Sequence, residues 1–197
     1  MKSGLGIEAG FPRTYEIEIL GSAPALQPHE ELHQFPANLS AEDRFGIYVR
    51  VASHSGLAWV GFFLYGFESE QALSGLYSCP DPGSLCVVAR GYGYIVETGN
   101  PGKCSAIDQK PVVQVVQVPE LQLLIFLGSR SISGWGRSGL EWTTKLLSWE
   151  GVSISGLDVR NKVLHGKGWD ARSDLEVPFE VNLETGQHTG GARPELA

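Results

Sequence analysis

The apolar run Leu121-Gln-Leu-Leu-Ile-Phe-Leu127 leads into the glycine-rich segment Gly134-Trp-Gly-Arg-Ser-Gly139, and this stretch is the most informative about the fold. It continues through Val152-Ser-Ile154 and Val163-Leu164 to Gly168-Trp169-Asp170. Short apolar runs that alternate with glycine-rich turns are typical of β-strands joined by hairpins. The stretch therefore predicts consecutive short strands, and it also carries four of the five tryptophans of the chain.

The N-terminal half has the same strand chemistry. Tyr15, Ile17 and Ile19 alternate with glutamates, as in a strand with one face in water, and residues 47–51 repeat this alternation. Residues 57–67 are apolar almost throughout, which predicts a more deeply buried strand. No segment has the periodicity of a long amphipathic helix. Since the chain also has 25 glycines and 11 prolines, we expect many tight turns and short elements.

We predict an all-β fold of antiparallel sheets, arranged as a sandwich or as a partial or small propeller-like stack with short helical turns. Strands are expected beyond residue 80 at 85–89, 92–97, 112–118, 121–127, 131–134, 145–149, 152–156, 162–165 and 176–183. Helical turns are expected at 29–33, 40–43 and 68–76. The length of 197 residues predicts one domain over 1–197, in which the polar, glycine-rich residues 184–197 form a flexible tail.

An internal similarity links two parts of the chain. Shifting residues 84–103 by 37 positions superposes three pairs of glycines and one of isoleucines, namely Gly91 on Gly128, Ile95 on Ile132, Gly99 on Gly136 and Gly102 on Gly139. Residues 179–186 are a looser echo of 95–99. Over residues 84–191, this rhythm of strand, glycine turn and strand resembles that of β-propeller blades, and the region is similar to uncharacterised bacterial all-β proteins. The resemblance implies a propeller-like stack of sheets and no particular activity.

The charge and the cysteine content of the chain indicate which partners and which cellular compartment to expect. The net charge is −7, and basic residues form no cluster longer than a pair, so neither nucleic acid nor an anionic membrane surface is an expected partner. No apolar run is long enough to span a bilayer, and residues 1–8 lack the apolar core of a signal peptide. Cys79, Cys86 and Cys104 are odd in number and fit no zinc pattern, which favours free thiols in the cytoplasm.

The glycine-rich segment also matches a cofactor pattern. Gly134, Gly136 and Gly139 fit G-x-G-x-x-G, and Asp158 follows near the spacing of a ribose-binding acid. Dinucleotide binding requires a buried strand before the glycines and a helix after them. Because the preceding residues 130–133 are polar and strand chemistry lies on both sides, two hairpin turns are favoured and no cofactor is expected. A nucleotide-binding enzyme stays an alternative.

A second motif has the pattern of a zinc hydrolase. In His29-Glu-Glu-Leu-His33, a helix would place both imidazoles on one face and Glu30 against a metal-bound water. Pro28 and Pro36 leave room for only about two helical turns. The sequence offers no third ligand at an established spacing. We therefore expect a solvated turn and no metal site, with a zinc-dependent hydrolase as the other alternative.

The tryptophans supply the predicted binding surface. Trp135 is expected in an exposed turn beside Arg137, since an aromatic residue next to a cation is favoured at binding hot spots. Trp142, Trp149 and Trp169 either line the same edge or fill the core, and Asp170 is a further candidate binding residue. No arrangement of serine, cysteine or histidine predicts a catalytic residue. The sequence thus predicts a non-enzymatic cytoplasmic protein that binds another protein through turn-borne aromatic residues.

Overall fold

The computed structural model describes residues 5–38, 45–67 and 72–192 of the chain. Their regular structure consists of four mostly antiparallel sheets and one short 3-10 helix at Pro119–Leu121, without an α-helix. The predicted all-β fold is confirmed. None of these residues forms a helix that could cross a membrane. The chain divides into two compact units, Met1–Asp108 and Gln109–Ala197, and a single domain over 1–197 remains a prediction.

The first unit contains nine strands among its described residues. They are β1 (Gly6–Glu8), β2 (Tyr15–Leu20), β3 (Glu31–Phe35), β4 (Gly46–Ser53), β5 (Ala58–Leu64), β6 (Gly75–Ser78), β7 (Ser84–Ala89), β8 (Tyr92–Glu97) and β9 (Cys104–Ala106). Two sheets result, with the strand orders β2-β4-β5-β3 and β1-β6-β7-β8-β9. Pairing is antiparallel except at two edges, where β3 runs parallel to β5 and β1 runs parallel to β6. Spatial order therefore departs from chain order in both sheets.

One apolar core lies between the inner faces of these two sheets. β4 contributes the alternate residues Ile47, Val49 and Val51, because successive side chains of a strand point to opposite faces. Trp59 on β5 is fully buried, and its Nε1–H donates to the carbonyl oxygen of Thr98 at 2.9 Å. An unpaired N–H at this depth would cost about 1–3 kcal/mol, so the hydrogen bond stabilises the position of the indole.

The second unit contains eight strands within its described part. They are β10 (Gln114–Val118), β11 (Leu123–Leu127), β12 (Ile132–Gly136), β13 (Gly139–Thr143), β14 (Val152–Asp158), β15 (Val163–Asp170), β16 (Leu175–Asn182) and β17 (His188–Gly190). Both sheets, β10-β11-β12-β13 and β14-β15-β16-β17, are antiparallel meanders in which each strand pairs with its neighbours in sequence. Hairpins need only short connections, which the glycine-rich turns provide.

Trp142 joins the two sheets of the second unit. It lies on β13, and its Nε1–H donates to the carbonyl oxygen of Leu183 at 2.8 Å. A Cβ atom at Gly134 or Gly186 would lie 2.4 or 2.8 Å from the nearest Trp142 atom. Real Cβ atoms do not approach so closely, so the tryptophan fits because both neighbours lack a side chain. Gly134 thus has a packing role.

The two tryptophan hydrogen bonds have equivalent acceptors. Thr98 and Leu183 are each the first residue after the third strand of a meander, β8 in the first unit and β16 in the second. Each carbonyl accepts from a buried tryptophan of the other sheet in the same unit. The echo of 95–99 in 179–186 lies at these same strands, although it matches Thr98 to Thr185, two residues beyond the structural equivalent.

Two of the predicted helical turns can be compared with the structure. Residues 29–33 were expected to be helical, but they form a turn and the start of β3. Pairing with β5 outweighs the weak local preference, because strand formation depends strongly on tertiary context. In the expected turn at 68–76, residues 68–71 lie outside the described part of the chain, and Gly75 begins β6. The turn expected at 40–43 lies wholly outside it.

Two predictions in the C-terminal half are wrong. The expected strand at 145–149 is an irregular connection, in which the backbone of Leu147 donates to Arg130 and accepts from Ala192. The expected flexible tail contains β17, which pairs with β16 over Phe179, Glu180 and Val181. The tail prediction is therefore wrong for residues 184–192. A short polar strand was missed because hydrogen bonding to a sheet edge requires no apolar periodicity.

Candidate binding site at the turn between β15 and β16

Asp170 organises the turn that joins β15 to β16. Its Oδ1 accepts the backbone N–H of Arg172 at 3.2 Å, and its Oδ2 accepts the hydroxyl of Ser173 at 2.8 Å. The backbone N–H of Asp174 donates to the carbonyl oxygen of Asp170 at 2.9 Å. A short acidic side chain that accepts from the backbone two residues on is a frequent turn device. This turn therefore has one preferred conformation.

Two tryptophans lie against the turn, and each is held by a carboxylate. Trp149 Nε1–H donates to Asp170 Oδ1 at 3.2 Å, and Trp169 Nε1–H donates to Asp174 Oδ1 at 3.1 Å. Hydrogen bonds to an ionised acceptor are roughly twice as strong as those between neutral groups. Both tryptophans are half-buried. The two indoles are thus fixed in orientation while part of their surface stays open to solvent.

The backbone around Trp149 is fixed as well. Its N–H donates to the carbonyl oxygen of Trp169 at 3.0 Å. The fully buried hydroxyl of Ser148 accepts the N–H of Trp169 at 2.9 Å and lies 3.1 Å from the carbonyl oxygens of Trp169 and Gly151. These bonds tie the connection between β13 and β14 to the end of β15. They bring together two tryptophans that are far apart in sequence.

Arg172 and Leu175 complete the exposed surface. The guanidinium carbon of Arg172 lies 5.9 Å from the centre of the Trp149 ring, within the range of a cation–π attraction. Leu175, the first residue of β16, is 63% exposed. Tryptophan and arginine are the residue types most enriched at binding hot spots. The tryptophan turn is defined here as Trp149, Trp169, Asp170, Arg172, Asp174 and Leu175.

Hydrogen bonding keeps the carboxylate at the centre of this site ionised. The Ser173 hydroxyl, followed by the backbone N–H of Arg172, lowers the pKa of Asp170 below its ordinary value. Donors that bond to the charged form of an acid favour that form. Asp170 is therefore a charged acceptor at neutral pH, which suits its role in holding the indole of Trp149.

The structure brings only some of the predicted binding residues together at one exposed site. Trp169 and Asp170 meet in the tryptophan turn, but the prediction that Trp135 is exposed is wrong. Trp135 is 8% exposed, and its ring lies edge-on to Phe126 of the neighbouring strand with 6.4 Å between centroids. Trp142 is 6% exposed and fills the core of the second unit. The glycines beside Trp135 suggest a turn, but the turn begins only after Gly136.

The segment 134–139 is a β-hairpin. Strand β12 ends at Gly136, the exposed residues Arg137 and Ser138 form the turn, and β13 begins at Gly139, whose φ is +116°. Dinucleotide binding uses a helix N-terminus directly after the glycine loop, because its free N–H groups face the pyrophosphate. Here a strand follows instead. Arg137 occupies the tip of this hairpin and is not among the residues of the tryptophan turn.

Asp158, the expected ribose-binding acid of that alternative, is bound to its own turn. Its Oδ1 accepts the backbone N–H of Asn161 at 3.0 Å, and its Oδ2 accepts Asn161 Nδ2–H at 2.8 Å. These two bonds lower the pKa of Asp158 below its ordinary value. The carboxylate thus stabilises the turn between β14 and β15.

The HEELH segment does not have the geometry of a zinc protease. His29 lies in a turn with φ +73°, and His33 lies on β3, so no helix stacks one imidazole above the other. The Glu30 side chain is only 3% exposed and accepts from Arg50 Nε at 2.8 Å, which makes it a buried ion-pair partner. Within the described ranges, no three His, Cys, Asp or Glu side chains are grouped to hold a metal ion.

The environments of the cysteines disfavour nucleophilic chemistry. Burial raises the pKa of both Cys79 and Cys86 well above the ordinary value. Cys104 is exposed as a residue, yet desolvation of its thiol raises the pKa to about 11. Reactive cysteines have a lowered pKa, since the thiolate is the nucleophile.

The sequence did not single out three members of the site, Arg172, Asp174 and Leu175. A sequence feature that could have indicated them is the polar segment Asp170-Ala-Arg-Ser-Asp174, which has the composition of a tight turn. It directly follows Trp169 and precedes Leu175. Trp149 was a candidate for an exposed edge or for the core. No local pattern places it at this turn, because it reaches the turn through backbone contacts between distant segments.

Comparison with known proteins does not assign a function to this site. No protein-family model matches the chain, and no curated protein is significantly similar to it in sequence. The chemistry of this surface is that of the aromatic, charged and apolar groups of the tryptophan turn.

Proposed function

We propose that this chain is a non-enzymatic binding protein that recognises another protein through the tryptophan turn. The observation that carries the proposal is the pair of half-exposed indoles, Trp149 and Trp169, each fixed by a carboxylate of one turn. Aromatic anchors that are oriented before binding lose little conformational entropy when a partner arrives. An aromatic surface built in this way favours recognition over a purely structural role.

The neighbouring residues indicate the chemistry of the partner surface. The exposed side chain of Leu175 and the open parts of the indoles offer apolar area, and Arg172 adds one cation beside them. A partner with an apolar or aromatic anchor flanked by an acidic group complements this arrangement. The net charge of −7 makes nucleic acid and anionic membranes poor partners.

We also propose a propeller-like architecture and a cytoplasmic location for this protein. The repeated sheets are related to the blades of β-propellers, which is supported by the 37-residue shift that overlaps β7 and β8 with β11 and β12. The protein works in the cytoplasm, in agreement with three cysteines that form no disulfide.

Site-specific photocrosslinking in the native host tests the proposed surface. A photoreactive phenylalanine analogue replaces Leu175, and in a second strain it replaces Leu140, which is 50% exposed on β13. We expect a discrete crosslinked protein from position 175 and none from position 140. Identical products from both positions, or no product from position 175, would contradict the proposal.

A second variant links the crosslink to the indole. Trp169→Ala in the Leu175 crosslinking strain should remove most of the product, because truncation of a hot-spot residue costs at least about 2 kcal/mol of binding free energy. Arg137→Ala, at the tip of the separate β12–β13 hairpin, is the matched control and should leave the product unchanged. Thermal unfolding of the purified Trp169→Ala variant shows whether the fold is retained.

A further inference from the structure

Four aromatic rings and one arginine meet where β5 ends and the β7–β8 hairpin turns. We define them as the aromatic corner, namely Phe45, Tyr65, Phe67, Arg90 and Tyr92. The backbone N–H of Tyr65 donates to the carbonyl oxygen of Phe45 at 3.0 Å, and that of Phe67 donates to the carbonyl oxygen of Arg90 at 3.1 Å. These hydrogen bonds bring three separate segments of the first unit to one place.

The aromatic rings of the corner are partly open to solvent. Phe45 is 81% exposed, more than any other large apolar side chain in the described part of the chain. Tyr65, Phe67 and Tyr92 are half-buried. The ring of Tyr92 lies directly on the backbone of Gly66, where a Cβ atom would be 2.2 Å away, and Phe67 lies edge-on to it with 5.4 Å between centroids. The corner thus presents a fixed aromatic surface beside one highly exposed phenylalanine.

Arg90 supplies the charge of this surface. Its guanidinium carbon lies 4.3 Å from the centre of the Tyr65 ring, which is a close cation–π contact. The chain has 22 acidic and 15 basic residues, yet none of the ion pairs among the described residues involves Arg90. A guanidinium that stacks on an aromatic ring can still donate its edge N–H groups to a carboxylate. Arg90 is therefore a cation whose acidic partner is not supplied by these residues.

The backbone conformation of Arg90 is unusual for this residue type. Arg90 and Gly91 form the two-residue loop of the hairpin, with φ values of +44° and +80°. Positive φ at both positions is typical of a type I′ turn, in which asparagine followed by glycine is the favoured pair. A larger side chain is disfavoured in the left-handed region. Arginine at this position therefore indicates a use for its side chain beyond forming the turn.

We propose that the aromatic corner is a second interaction surface, which binds an acidic segment of another protein. A carboxylate of that segment accepts from the guanidinium of Arg90, and a neighbouring apolar side chain packs on Phe45. Charge complementarity selects this occupant, because the corner holds one cation and no acidic residue. All five residues belong to the first unit, so the proposal does not depend on the tryptophan turn.

Two peptides test the predicted preference for a carboxylate. One is acetyl-Gly-Phe-Glu-Leu-Gly-amide, and the other has glutamine in place of glutamate. Each is titrated into the full-length ¹⁵N-labelled protein and followed by NMR. We expect saturable shifts at the amides of Phe45, Arg90 and Gly91, with the glutamate peptide bound about 10-fold more tightly, as a hydrogen bond between charged groups supplies.

The outcomes separate this surface from the tryptophan turn. Equal affinity for the two peptides, or no saturable shift at these amides, would overturn the proposal. Shifts confined to the indole N–H signals of Trp149 and Trp169 would also overturn it, while leaving the function proposed for the tryptophan turn intact.

Arg90→Asn separates recognition from a structural role of the arginine. It removes the cation and introduces the residue that a type I′ turn favours. The affinity for the glutamate peptide should fall to that for the glutamine peptide, without a loss of thermal stability. Lower stability with unchanged affinity would show that Arg90 is only structural. Arg137→Asn, in the β12–β13 hairpin, is the matched control and should leave both peptide affinities unchanged.

Phe45→Ala and Leu32→Ala test the apolar part of the surface. Both side chains are exposed in the first unit, at 81% and 52%, but only Phe45 belongs to the corner. Only Phe45→Ala should weaken binding of both peptides, by at least about 5-fold. Equal effects of the two substitutions would contradict the proposed site.

A second copy of the chain is the other occupant to be tested. Analytical ultracentrifugation of the protein without peptide should show no dimer that depends on Arg90. A dimer that dissociates in the Arg90→Asn variant would show that the corner binds another copy, and it would overturn the proposed partner.

Discussion

The first unit pairs strands that are distant in sequence, whereas the second pairs only sequence neighbours. β3 reaches the far edge of its sheet by pairing parallel to β5, while every strand of the second unit belongs to a meander. Both units nevertheless have a buried tryptophan, Trp59 or Trp142, bonded to the carbonyl that follows the third strand of a meander. The same packing contact thus tolerates two different strand orders.

The difference affects which surfaces each unit leaves open. In the first unit, the added edge strand β3 forms one wall of a cleft whose other wall is β9. In the second unit, the meanders leave their hairpin turns exposed, and one of these turns holds Trp149 and Trp169. These surfaces thus differ in form, with a cleft between two sheet edges in the first unit and an exposed hairpin turn in the second.

The largest expected effect comes from removing the shared tryptophan. Trp59→Ala and Trp142→Ala should each lower the free energy of unfolding by about 3–5 kcal/mol, because a large buried side chain and its hydrogen bond are lost. Urea unfolding followed by circular dichroism measures the change. Trp149→Ala, at a half-buried position, is the control with a smaller expected loss. A near-zero effect at either buried position would break the equivalence between the units.

The next effect tests the close packing of Gly134 against Trp142 in the second unit. Gly134→Ala should destabilise the fold by about 1–3 kcal/mol, since the new methyl group would meet the ring of Trp142. Gly156→Ala on β14 is the matched control, because its Cβ would find its nearest neighbour, His165, at 3.9 Å. Thermal unfolding of both variants measures how much each substitution lowers the stability. Equal stability would mean that the indole can shift at little cost.

A smaller effect contrasts two tyrosines of the first unit. Tyr15→Phe should cost about 0.5–1.5 kcal/mol, because its hydroxyl donates to the carbonyl oxygen of Ser84 at 3.0 Å. Tyr94→Phe should be neutral or stabilising, since its buried hydroxyl has no partner among the described residues. Chemical unfolding of the two variants and of the wild type measures the change in the free energy of unfolding for each. A larger loss at Tyr94 than at Tyr15 would indicate a partner for that hydroxyl.

The smallest effect is the titration of the exposed turn in the second unit. The pKa of Asp170 is lowered on folding, so the contribution of its hydrogen bonds is complete above the unfolded pKa of about 3.9 and is lost as pH falls through the folded value. The indole N–H signal of Trp149 should therefore shift with a midpoint below about pH 3.9. Asp170→Asn should abolish this titration. A midpoint at or above the unfolded value would remove the argument for a pre-oriented indole.

Local patterns predicted the strands of both units better than they predicted burial. The alternation at Tyr15–Leu20 and the apolar run at Tyr92–Glu97 both form strands, because a period of two residues places one side of the chain in the core. The glycines that flank Trp135 predict a turn, but the residue lies inside β12. A glycine permits a turn without requiring one, so the spacing alone could not place the hairpin.

The candidate site was only half visible in the sequence. Trp169 and Asp170 are adjacent in the chain, and their turn has recognisable chemistry. Trp149 joins them because Ser148 bonds to the backbone of Trp169. Contacts of this kind connect segments whose meeting depends on the whole fold, and no local pattern encodes them.

Short apolar runs, alternation and glycine-rich turns were enough to predict an all-β protein, because these patterns act within a few residues of each other. The three-dimensional fold was needed to learn which strands share a sheet, which tryptophans are buried, and that His33 lies on a strand. The physical reason is that parallel pairing, indole-to-carbonyl bonds and close packing at Gly134 join residues that are brought together only by folding.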